Sequence, residues 1–203
     1  MRPTARTFAA LGGTTVLLLT ACTSEAPEPA PASTSASPTS APTPTSTPTP
    51  TASGPMDRSD AALGIQFENL PDVTGDARAA LDVYTYFEVE FWRSTVDGKL
   101  SDAILTVADP DVVALVQAQV DGNAGLTVGG ENRIEISDIV ADAATATLTT
   151  CQDTSGFLVT DADGKVWTGV ELGEQPTTVT VGLTKEPGLP WRVVSIDSPM
   201  TPC

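Results

Sequence analysis

Between Thr23 and Pro55 the chain runs for 33 residues without one aromatic or branched aliphatic side chain. Nine Pro, eight Thr, seven Ser and six Ala make up this stretch, with only Glu25, Glu28 and Gly54 besides. Such a segment has too little apolar surface to offset the entropy lost on ordering, so it reads as a disordered linker. The Thr-Pro alternation from Thr43 to Pro50 favours polyproline II. At about 3.1 Å per residue the linker reaches roughly 100 Å at most. Ser and Thr with Pro also compose O-glycosylated stalks; an unmodified spacer is the plainer reading. Anything that folds must lie on either side of it.

On the N-terminal side, Arg2 and Arg6 precede an uncharged, mostly apolar run from Thr7 to Leu19. That run is shorter than the about 20 residues a permanent membrane helix needs, and it fits a secretory signal. Its end, Leu19-Thr20-Ala21-Cys22, resembles the lipobox of bacterial lipoproteins. The resemblance implies that residues 1–21 are a lipoprotein signal peptide. Cys22 then becomes the N-terminus and carries diacyl lipidation of the palmitate kind. Residues 22–55 are the lipidated cysteine plus its linker. At about 0.8 kcal/mol per buried CH₂, two chains hold a domain on the cell membrane, here on its extracytoplasmic face. An ordinary signal peptide with a chance cysteine is the alternative.

Residues 56–203 have the length of one domain with a core of its own. They carry 24 acidic and 8 basic residues, which accounts for the whole net charge of −16. A surface this acidic repels phosphate backbones, which argues against nucleic-acid binding. The chain has no histidine, which removes Ser-His-Asp and Cys-His chemistry and ordinary zinc sites. No metal or cofactor is expected. Two cysteines remain, Cys151 and Cys203, and an oxidising compartment makes a disulfide between them the natural reading, with two free thiols as the alternative.

The first half of this region has helical spacing. Thr74 is placed as an N-cap, and Ala77, Ala80, Leu81, Tyr84, Phe87, Phe91 and Trp92 recur at helical intervals before Asp97-Gly98. A short helix follows from Ala103 to Val107. Asp109-Pro110 then starts a third, with Val112, Val113, Val116 and Val120 as its buried stripe. The second half reads as strands: 133–140, 143–152, a hairpin of 157–160 and 165–168, then 177–185 and 191–198. Helices followed by an antiparallel meander give an α+β fold, with N-terminal helices lying on one face of a curved sheet.

This order resembles the NTF2-like (cystatin-like, SnoaL-like) fold, and more narrowly the secreted lipoproteins that carry it. The residues behind the resemblance are the helix from Ala79 to Trp92, the strand from Ala144 to Asp153, the segment from Gly188 to Val194, and Cys203. It implies a cone-shaped cavity between the first helix and the sheet, often used for small apolar ligands. On a helical wheel Glu88 falls about 40° from Tyr84, inside the apolar stripe. Tyr84, Glu88, Phe91 and Trp92 are therefore the candidate ligand-binding residues. Glu88 is the weak catalytic candidate, because a desolvated carboxylate gains a raised pKa. The alternative is that Glu88 snorkels to water or bonds to a strand.

Asp153 reads as a turn cap. Asp161, Asp163 and Gly164 invite calcium, but a calcium loop in that register would place Val159 and Val170 at ligand positions, so a hairpin turn is expected. Three functions remain open: a non-enzymatic module binding an envelope protein or a small apolar ligand; a ketosteroid-isomerase-like enzyme using Glu88; and an oligomerising platform, such as a homodimer.

Overall fold

The computed structural model describes residues 56–203. The expected signal peptide, Cys22 and the expected linker fall in residues 1–55, outside the described residues. The elements are β1 (Ile65–Glu68), α1 (Gly75–Asp97), α2 (Ile104–Val107), α3 (Pro110–Gly122), β2 (Thr127–Gly130), β3 (Asn132–Ala141), β4 (Thr145–Asp153), β5 (Phe157–Thr160), β6 (Val166–Thr168), α4 (Gly169–Leu172), β7 (Thr177–Thr184) and β8 (Arg192–Asp197). The fold is mixed α+β, and no described helix is long and apolar enough to cross a membrane.

Helix α1 forms where the apolar spacing placed it. Ala80, Leu81, Tyr84 and Phe87 are buried along one side, and Gly98 in the left-handed region ends it by donating its N–H to the Ser94 carbonyl. Thr74 sits at the N-cap but makes no side-chain capping bond. Pro110 occupies the first turn of α3, whose Val112, Val116 and Val120 are buried as the stripe required. The Asp109 carboxylate does not cap that helix. It accepts from Arg192 Nε at 2.8 Å, while the same guanidinium donates to the carbonyls of Thr106 in α2 and of Ala108 just after it.

The expected single meander is two sheets. One has five strands in the order β1-β3-β4-β7-β8; the other has three, β2-β5-β6. The hairpin around Asp161 belongs to the second sheet. β1 was not anticipated: it precedes the helices and pairs parallel to β3. Pairing elsewhere in both sheets is antiparallel. The register is irregular between Ile136 and Asp138 and between Gly182 and Leu183, the kind of bulge that bends a strand and increases its twist. Its concave face supplies Ile134, Leu148, Val181, Leu183 and Val193 to the core, each at most 1% exposed.

The two sheets meet at a glycine junction. Gly64 and Gly130 both have positive φ, and a Cβ on Gly64 would lie 1.9 Å from the Gly130 carbonyl oxygen. Asn132 N–H bonds the Gly64 carbonyl at 2.8 Å and Glu131 N–H bonds the Gly156 carbonyl at 3.0 Å. Only residues without side chains permit this approach, and it fixes where β3 begins. Toward the end of β4, Cys151 and Cys203 form the expected disulfide, with Cα atoms 5.8 Å apart. The tail beside it bonds to the start of β7 through Thr178 N–H and the Thr201 carbonyl at 2.8 Å.

Candidate functional site

A cavity of about 310 Å³ opens between the second half of α1, α3 and the two sheets. Its walls are aromatic. Phe91 and Trp92 come from α1 and Phe157 from β5. Trp92 is locked in place: its Nε1 donates to the Leu63 carbonyl at 2.8 Å, and its ring packs against Phe157 at 5.3 Å between centroids. Phe87 and Phe91, one helical turn apart, stack at 6.1 Å.

Glu88 lies in this wall and is only 3% exposed. The wheel position is realised, and the carboxylate does not snorkel to solvent. It bonds to a strand instead: Gln152 Nε2 of β4 donates to Glu88 Oε1 at 3.2 Å and reaches the Tyr84 hydroxyl at 3.4 Å. The Tyr84 hydroxyl also hydrogen-bonds the Glu88 carboxyl group. Burial pushes the Glu88 carboxyl up to about 7, against the opposing pull of the bonds from Tyr84 and Gln152. Burial, and then the charge of Glu88, push the Tyr84 phenol well above its ordinary value.

Of the four candidate residues, Glu88, Phe91 and Trp92 line the cavity. Tyr84 is fully buried behind Glu88 and is not part of the wall. A helical wheel gives an angle around the axis but not a depth along it, and Tyr84 sits one turn too far into the packed end.

Among the polar wall residues that the sequence did not single out are Gln152, Asn132 and Glu174. Gln152 follows Ala146, Leu148 and Thr150 on the inward face of β4, so strict alternation carried its signal. Asn132 is the first inward residue of β3, 3% exposed, and its Oδ1 has no hydrogen-bond partner. No spacing in the sequence announces it, because its position depends on the glycine junction. Glu174 stands exposed at the rim and accepts from the Thr154 hydroxyl at 2.9 Å. An unpaired buried acceptor beside a cavity is unusual, since such groups cost about 1–3 kcal/mol when left unsatisfied.

The remaining acidic candidates serve turns. Asp153 accepts from Ser155 N–H at 2.9 Å, and the Ser155 hydroxyl and N–H hold its carboxyl below the usual range. Asp161 accepts from the N–H groups of Asp163 and Lys165, as a hairpin turn requires. Of the other two tryptophans, Trp191 is buried in the core, and Trp167 is half-buried beneath the Lys165 ammonium.

No family model matches the chain, and no curated protein matches it. Among solved structures it is similar to the intermembrane space region of the chloroplast protein ARC6. That likeness has 11% identity and a TM-score of 0.47, over 62% of this chain and 98% of that one. It is also similar to a calcium/calmodulin-dependent protein kinase type II association domain from Thiobacillus denitrificans. There the identity is 14% and the TM-score 0.37, over 59% of this chain and 94% of that one. Neither likeness assigns this chain a residue role or an activity.

Proposed function

We propose that residues 56–203 form an NTF2-like binding module, held by a lipid on Cys22 at the extracytoplasmic face of the cell membrane, that takes a small, largely apolar ligand into the cavity beside α1. The observation carrying this reading is an aromatic-walled space of about 310 Å³ bordered by two buried polar residues, Glu88 and Asn132, the latter with its Oδ1 unpartnered. Ligand sites are typically apolar clefts of about 300–1,000 Å³ with a few placed polar groups. Native mass spectrometry of the domain, prepared without detergent, tests it. A retained small molecule is the expected result. An empty domain that also takes up none of a panel of small apolar compounds would overturn it and point to an envelope protein or a second copy as the partner.

One observation favours a second reading. Glu88 is a cavity carboxyl that exchanges its proton near neutral pH, the property a ketosteroid-isomerase-like proton carrier needs. Glu88→Gln should then abolish turnover of a bound substrate while leaving its binding intact.

A further inference from the structure

We infer that the cavity selects a cation: a primary amine on an apolar, preferably aromatic, body, its ammonium group set between Glu88 and Asn132. The inference rests on the cavity being a small-molecule site and names the ligand class. The wall contains two carboxylates, Glu88 and Glu174, and neither a lysine nor an arginine. The groups packed against Glu88 are Tyr84 from its own helix and Gln152 from β4, with Thr150 behind the Tyr84 hydroxyl; none carries positive charge. An ionised Glu88 therefore has no countercharge in the wall. Asn132 Oδ1 adds an acceptor without a donor.

An ammonium group supplies donors and no acceptor, so it satisfies both atoms, whereas a carboxylate ligand would satisfy neither. The rings of Phe91, Trp92 and Phe157 offer the faces that attract a desolvated cation and also bury an aromatic body. The net charge of −16, carried wholly by this domain, raises the local concentration of cations and repels anions. Because burial alone holds the Glu88 proton up to about pH 7, a bound cation must displace that proton. Binding of the amine is therefore linked to pH, and binding of a neutral analogue is not.

The test uses three compounds of one shape, 4-phenylbutylamine, 4-phenylbutanol and 4-phenylbutyrate, titrated calorimetrically into residues 23–203 exported without the acylated cysteine. At pH 8 the amine is expected to bind at least tenfold tighter than the alcohol, with the butyrate weakest. At pH 5.5 the amine should lose at least tenfold and the alcohol should not change. Glu88→Gln should remove the tenfold preference while the alcohol still binds, which also reports that the variant is folded. If that variant does not fold, the pH dependence of amine against alcohol on the unaltered chain decides. An alcohol that binds as well as the amine, or an amine affinity independent of both pH and Glu88, overturns the cation and leaves the cavity as a binding site. Failure of all three compounds overturns both readings.

Discussion

Strand β4 carries two surfaces on one face. Toward its start, Ala146 and Leu148 are buried against Val181 and Leu183 of β7 in a dry core. Toward its end the same inward row continues as Thr150 and Gln152, and beside Gln152 the cavity opens. Helix α1 divides in parallel: Ala80, Leu81 and Tyr84 are sealed in the packed end, while Glu88, Phe91 and Trp92 border open space. A helix laid on a bent sheet closes fully where both partners are apolar. It stays open beyond Glu88, which gives the Gln152 amide its partner, and beside Asn132, whose Oδ1 has none. The site is the part of the core where packing stops, and it holds one buried polar atom left without a partner.

That contrast can be broken at its dry end first. Leu148→Ala removes a fully buried side chain, and urea unfolding should register a loss of about 2–5 kcal/mol. Phe91→Ala, half-buried at the cavity, should cost clearly less; equal costs would mean that the open end is packed as tightly as the closed one. Next in size is the strap across the sheet. Reducing or replacing Cys151 and Cys203, 52 residues apart, should cost up to about 4 kcal/mol in the same assay, with the fold retained.

Glu88 sharpens the comparison through pH. Its pKa is raised from 4.5 to about 7, so folding favours the protonated form. The stabilisation is complete below pH 4.5 and is lost as pH climbs through 7, by about 3 kcal/mol in all. Glu88→Gln should flatten the fall in unfolding free energy between pH 5 and pH 8; a variant with the unaltered slope would place the ionisation elsewhere. The smallest effect belongs to the short helix α4. Thr168 and Glu171 form a capping box on the four-residue helix α4, and Thr168→Ala should cost about 1 kcal/mol.

The legible parts of this fold were local. The spacing from Ala80 to Trp92 specified α1 and put Glu88 on its inward side, because side-chain direction on a helix follows from sequence interval alone. The Cys151–Cys203 pair was legible because no other cysteine lies in the domain. What stayed hidden depends on distant chain. Ile65 and Phe67 alternate correctly, but β1 is only four residues long and pairs in parallel with the distant β3, so no hairpin turn joins the two strands to announce the pairing. Asn132 owes its place to Gly64 and Gly130 meeting across two sheets. The separation of the Asp161 hairpin into its own sheet follows from the same junction, which no periodicity encodes.

The way Trp92 is fixed has a consequence for how this protein can be observed. Its indole is held at the cavity wall by the Leu63 carbonyl and the Phe157 ring, so its surroundings alter when the space beside it fills. Trp191 is sealed elsewhere in the core and Trp167 lies under a surface lysine, away from that change. The molecule thus carries an emitter at its own doorway and two reference emitters elsewhere, and its intrinsic fluorescence reads occupancy without a label.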